Sequence, residues 1–323
     1  MHILTARRSS GSRLEVLVRL ITLGALVMTM LVSAAIAEEG GSITYPMGAE
    51  TVMPAIDPGP HNYLLQTFTL FYSSSRFNDT KGNSAIPGFR LTEFANCVKL
   101  KHNWGVKFLG ANLFTGAGIV MAYAQVEAGP PNQLASQTKT NLANQDIEPL
   151  FAVYNREDLH FHYGLDIWTP GPSYTRTDLV NVGSHYWQFE PNFAITYMPN
   201  HGKTEFSSRV HYAINTTNPD NNYHSGSYIS WEFNATQNVT KTTALGFQGY
   251  LAKQVRDDTI SGVRAGDGNR TQALGLGPEI RVAIPKGVIA FKYFRETDVR
   301  YHPVGNGFWF EFGLPINGHK NKS

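Results

Sequence analysis

An antiparallel β-barrel of about twelve strands, spanning a bilayer and reached through a cleaved export signal, is the fold this all-β sequence predicts. Three observations carry the expectation: an N-terminal stretch built like a signal peptide, period-two alternation of apolar and polar residues, and connections that alternate between long and short. Composition agrees with them. Charged residues are 16% of the 323 and aromatics 12%, against roughly 25% charged in ordinary soluble domains. The formal net charge of +2 gives no basic field for nucleic acid, so nucleic-acid binding is excluded as a reading.

At the N-terminus, Arg7, Arg8, Arg13 and Arg19 precede an apolar run from Leu20 to Ala37 that ends Ala35-Ile36-Ala37. Positive flank, hydrophobic stretch and small-x-small site are the parts of a signal peptide, which places cleavage after Ala37 and makes 1–37 the signal. A retained helical anchor is the competing reading. Cys97 is the only cysteine, so no internal disulfide can stabilise the exported chain.

Residues 38–61 are rich in Gly and Pro, too irregular for a strand, and read as a periplasmic N-terminal segment able to act as a plug. The barrel is expected over 62–316, followed by a polar tail at 317–323. Alternation is clearest from Trp187 to Tyr197, where Phe189, Phe193, Ile195 and Tyr197 oppose Glu190, Asn192 and Thr196. It recurs in Phe206-Val210-Tyr212-Ile214, in Ile229-Trp231-Phe233, in Ile280-Val282 against Glu279 and Arg281, and in Phe308-Phe310-Phe312 against Trp309 and Glu311. Helices do not produce this period. Earlier strands are expected near Asn62–Ser73, Phe89–Lys101, Lys107–Gln125, Glu148–Tyr154 and Asp158–Trp168, and later ones at Thr242–Gln254 and Gly287–Val299. Asn96 breaks the pattern, falling on the apolar face of Phe94, Val98 and Leu100.

Long connections are expected at 74–88, 126–147, 169–183, 216–225 and 256–270, and short ones at 102–106, 155–157, 199–202, 238–241 and 285–286. Long outer loops alternating with short periplasmic turns mark an outer-membrane barrel. A soluble sandwich has no reason to alternate loop length.

Inward-facing polar positions read from the alternation are His160, His162, Asp166, Glu190, Arg209, His211, Glu232, Gln248, Glu279, Arg281, Lys292 and Glu311. His160, His162 and Asp166 share a face and could hold a transition metal, but they are read as lumen residues, and no catalytic or metal residue is assigned. Symmetric hairpin pairing sets Arg209 opposite Glu232, Glu279 opposite Lys292, and Lys292 within one residue of Glu311, with Glu190 reaching Arg209 diagonally. These are expected to form charge ladders.

Several short stretches resemble a family of outer-membrane proteins named after the meta pathway of phenol degradation. They are Glu39-Gly40-Gly41 with Tyr45-Pro46, Arg76-Phe77-Asn78-Asp79, Thr169-Pro170-Gly171 with Tyr174, and Tyr223-His224-Ser225-Gly226. Gln254 to Asp257-Asp258, Leu274-Gly275 to Pro278, and Asn306-Gly307 complete the set. The resemblance implies a barrel in the bacterial outer membrane, among lipids and lipopolysaccharide, serving as a passive channel or transporter for small hydrophobic or aromatic solutes without a cofactor. It carries over no catalytic residues. A structural or surface-interaction barrel with a filled lumen is the alternative, and a membrane-embedded hydrolase a further one. The departure is the C-terminus, where Phe312 is followed by Gly313-Leu314-Pro315-Ile316 and the tail rather than by a terminal aromatic.

Overall fold

Strands that cross hydrocarbon must find every hydrogen bond inside the protein, and a sheet does this only by closing on itself. The structure, a computed structural model, describes residues 41–318; the predicted signal peptide lies outside the described residues. Twelve strands make the barrel: β1 (Tyr63–Asn78), β2 (Arg90–Phe108), β3 (Ala111–Ala128), β5 (Asp146–Arg156), β6 (Leu159–Trp168), β7 (Gln188–Tyr197), β8 (Thr204–Asn215), β10 (Tyr228–Asn238), β11 (Thr243–Gln254), β14 (Gln272–Ile284), β15 (Gly287–Arg300) and β16 (His302–Ile316). All neighbours are antiparallel, and β1 pairs with β16 from Tyr63↔Ile316 to Asn78↔His302, closing the cylinder.

The remaining strands belong to the long loops, where sequence alternation showed none. β4 (Ala135–Leu142) folds back along the projecting end of β3, while β9 (Tyr223–His224), β12 (Thr259–Ile260) and β13 (Val263–Arg264) form a small sheet between two loops. The expected short turn at 102–106 is corrected: β2 runs through to Phe108, and Gly105 sits in a bulge between Asn103 and Lys107. The turn itself is Leu109-Gly110, both with positive φ (49° and 87°), the twist that joins two strands with least splay. The β15–β16 connection, which hairpin symmetry in the sequence puts at 300–304, is also tighter. It turns at Tyr301, so Lys292 faces Trp309 and Glu311 faces Ala290.

Outward positions carry the apolar belt: Trp187, Phe193, Phe206, Trp231, Phe247, Phe291 and Phe308 are exposed. Asn96 does face outward, and its Nδ2 donates to Thr69 Oγ1 at 2.7 Å on the neighbouring strand, so the polar pair meets lipid satisfied.

Residues 41–61 form no strand. Pro46, Pro54, Pro58 and Pro60 remove backbone donors, and Gly41, Gly48 and Gly59 take positive φ. The segment instead runs lengthwise through the interior. Gly41 O lies 2.5 Å from His302 Nδ1 at the long-loop end, while Asp57 accepts from Asn103, Asn112 and Asn155 at the short-turn end.

Two outcomes follow from this arrangement. Val263→Cys, in the loop sheet, should react with a membrane-impermeant maleimide on intact cells, whereas Val239→Cys, in a short turn, should react only after permeabilisation; equal labelling would refute the orientation. Phe193→Arg, mid-strand in the belt, should lower the folded fraction on refolding into bilayers by about 2–4 kcal/mol, while Phe193→Leu stays near wild type.

Candidate functional site

A polar group sealed in a barrel interior costs free energy unless it is bonded, so each inward charge demands a partner. The wall finds many of its partners on the segment 41–61. Glu232 accepts from Tyr45 OH at 2.8 Å and Gly48 N at 2.5 Å; Glu205 accepts from Met53 N at 2.9 Å, and Thr196 Oγ1 from Ala55 N at 3.3 Å. Lys292 Nζ donates to Ala49 O and Thr51 Oγ1 at 3.1 and 2.9 Å and pairs with Glu311. Trp309 Nε1 donates to Met47 O at 3.2 Å. Gly48 suits glycine twice over: its φ is +84°, and a Cβ there would stand a tight 3.2 Å from both Trp309 and Tyr250.

Glu50 is the segment's only carboxylate between Gly41 and Ile56, and it enters the densest charge cluster. Lys99 Nζ lies 2.6 Å from Glu50, 2.6 Å from Asp146 and 2.8 Å from Glu148, with Lys101 beside Glu148 at 3.3 Å. Arg209 pairs with Glu50 and, at 2.8 Å, with Asp166.

Of the inward set read from sequence, His162, Asp166, Glu190, Arg209, His211, Glu232, Gln248, Glu279, Arg281, Lys292 and Glu311 are all buried. His160 is partly exposed at the short-turn rim, 2.7 Å from Asn155 Oδ1. His162 stacks on Phe151, with centroids 4.8 Å apart, rather than joining Asp166. Registers Arg209↔Glu232 and Glu279↔Lys292 are as expected, yet the side chains choose other partners. Glu279 accepts from Asn234 at 3.4 Å and Arg281 pairs with Glu205. The diagonal Glu190–Arg209 contact is corrected: Glu190 accepts from Trp168, Gln188 and Tyr228 at 2.8 to 3.0 Å instead. Alternation along the strands carries no information on which wall groups the non-strand segment, expected as a possible plug, would bond. It also missed Lys99, Lys101, Asp146 and Glu148, although Val98-Lys99-Leu100-Lys101 carries the alternation plainly.

Two apolar cavities flank this polar waist. The one toward the long loops, about 200 Å³, is walled by inward side chains that include Leu70, Leu91, Val120, Ala122, Ala124, Val126 and Phe294, and by Val180 and Val182 from the inward-folded loop 169–187. Its polar end is Glu296, which accepts from Tyr72 OH at 2.6 Å and Tyr250 OH at 2.7 Å and lies 3.5 Å from His302. The other cavity, about 300 Å³, lies toward the short turns among Val52, Met53, Ile56, Leu64, Phe68, Ala290 and Phe312. Above both, Asp258 ties the loops together, accepting from Tyr223 OH, Gly226 N and Gln254 Nε2 at 2.5 to 2.7 Å; burial pushes its carboxyl up to about 6.

A closed twelve-stranded cylinder with a greasy exterior and a charged interior is an outer-membrane β-barrel. The chain belongs to the family described as "Putative MetA-pathway of phenol degradation", whose pattern matches residues 74–312. Its fold is similar to that of the COG4313 outer membrane channel from Pseudomonas putida F1, with a TM-score of 0.68 at 13% identity over 81% of this chain and 100% of that one. It is also similar to the transport unit of the autotransporter AIDA-I from Escherichia coli, with a TM-score of 0.50 at 12% identity over 87% and 99% of the two chains. No curated protein matches the chain in sequence.

Lys292 offers a direct test of the wall-to-segment bonds. Removing one member of a buried pair strands the other, at about 3–5 kcal/mol, so Lys292→Met should lower the denaturant midpoint of the folded barrel by that equivalent. Adding Glu311→Gln should restore part of the loss; an unchanged midpoint in the single variant would show the pair to be unimportant.

Proposed function

We propose that this barrel is a passive channel for small hydrophobic or aromatic solutes, with residues 41–61 occluding its lumen. The observation that carries the reading is the pair of apolar cavities on the axis. Barrel channels ordinarily present polar walls to the lumen, and an apolar cavity of about 150 Å³ already accommodates benzene. Spaces of about 200 and 300 Å³ are therefore of one-ring size. The phenol-degradation family supports the same solute class, and the similar Pseudomonas putida structure is a channel.

Movement of the segment would join the two cavities into one path. Met47 borders the first and Val52, Met53 and Ile56 border the second. The full-length crossing of the lumen by residues 41–61 favours a second reading, a permanently filled barrel with a structural or surface role. Strand number leaves both open, since twelve lies between the roughly eight strands that side chains fill and the sixteen or more that leave a water channel.

Planar-bilayer recording separates them. Deleting residues 41–60 should raise single-channel conductance several-fold, phenol should reduce the current reversibly, and Ala122→Trp, filling the outer cavity, should abolish that block while conductance persists. A deletion that folds but does not conduct, or a current indifferent to phenol, would defeat the channel reading.

A further inference from the structure

Asp166 on β6 and Glu190 on β7 are directly opposed in the strand register. Both are fully buried, and opposed residues place their Cβ atoms roughly 4.5 to 5.5 Å apart, so like charges there repel. On β8, His211 is paired with Asn192 and so stands diagonally from Glu190. One carboxylate oxygen from each acid and one ring nitrogen of His211 lie within 4.8 Å of one another. His211 is itself fully buried, its Nδ1 is 3.5 Å from Glu190 Oε2, and neither ring nitrogen has a hydrogen-bond partner among the described residues. A buried imidazole can donate at one nitrogen and accept at the other; here both capacities stand unused while the ring faces two acids.

The surrounding charges do not balance. Glu50, Asp146, Glu148 and Asp166 are joined by ion pairs to Lys99, Lys101 and Arg209, four acids against three bases. Glu190 adds another acid, and His211 is its only basic partner among the described residues. Ionised, the group is short of positive charge by two, and an uncompensated charge in such a site is strongly unfavourable.

We propose that Asp166, Glu190 and His211 bind one divalent transition-metal ion of the zinc class inside the barrel. One imidazole with two carboxylates is a donor set suited to zinc and its first-row neighbours, whereas calcium and magnesium take oxygen alone. The ion supplies the missing charge and relieves the opposed carboxylates. All four carboxylate oxygens are held by donors: Asn192 Nδ2 at 3.0 Å and Arg209 at 2.8 Å on Asp166, and Tyr228 OH, Gln188 Nε2 and, on the oxygen nearest His211, Trp168 Nε1 on Glu190; such outer contacts orient metal ligands. Above the site, the Tyr45 ring packs on His211 with centroids 4.3 Å apart, so the segment 41–61 roofs it.

Cobalt(II) is the probe. Folded full-length protein, stripped with chelator, should take up one Co²⁺ per chain with visible ligand-field absorption, and Zn²⁺ should displace it. His211→Ala should abolish the absorption and Glu190→Gln should weaken binding at least tenfold, while His162→Ala, a buried histidine outside the site, binds as wild type. Retained heat-dependent mobility on gels verifies that each variant is a folded barrel. The proposal is overturned if folded wild type binds no Co²⁺, if His211→Ala binds equally well, or if Ca²⁺ or Mg²⁺ displaces Co²⁺ as readily as Zn²⁺ does, which would mark a plain acidic cluster.

Discussion

Everything in this interior depends on one constraint: a charge buried inside a barrel must meet a partner there, because burial strips it of solvent that only a partner can replace. Glu50 shows how the constraint is met. It comes from the non-strand segment, yet it bonds Lys99 on β2 and Arg209 on β8, strands well separated around the cylinder. Wall-to-wall pairs such as Arg281–Glu205 also reach across several strands, and Glu50 adds a partner from the middle of the bore. Glu232 and Glu205 work in the reverse sense, as wall acids that accept backbone N–H groups the irregular segment cannot pair with itself. Wall and segment therefore complete each other's hydrogen bonding.

The fold was legible in the sequence because the bilayer imposes two periodic rules, alternation along strands and alternation of connection length, and both leave marks in residue order. Residues from Trp187 to Tyr197 and from Phe308 to Phe312 face outward or inward as the alternation predicts. Less was legible where local rules compete. A bulge at Gly105 let β2 continue past a stretch that looked like a turn, and β4 lies in a loop where neither face is buried by a membrane. The charge pairing was met between Lys292 and Glu311 and failed elsewhere for another reason. Register arithmetic located Arg209, Glu232, Glu279 and Lys292 correctly as backbone neighbours, but long side chains bond to what fills the space in front of them, and here that is a segment whose own pattern is silent.

The two cavities have a similar origin. Inward positions near the long-loop end of β1 and β3 carry Leu70, Val120, Ala122, Ala124 and Val126, where a polar lumen would carry Asn, Ser or charge. Small alanines there leave space that valines alone would close. Lys99, Lys101, Arg209 and the acids around them lie between the two cavities, while on β7, β8 and β10 the inward positions are polar along most of their length.

Because Gly41 lies at one mouth and Asn62 joins β1 at the other, the segment is less like a hinged lid than like the axle of a rotaxane. Its fixed end is at the short-turn mouth, so it cannot leave through the long-loop mouth without dragging β1 from the sheet. It can leave only by sliding lengthwise toward the short turns, and whatever precedes Gly41 must follow through the whole bore. A bulky folded body attached ahead of Gly41 at the outer mouth would act as a stopper, locking the thread in place with no new contact to the wall.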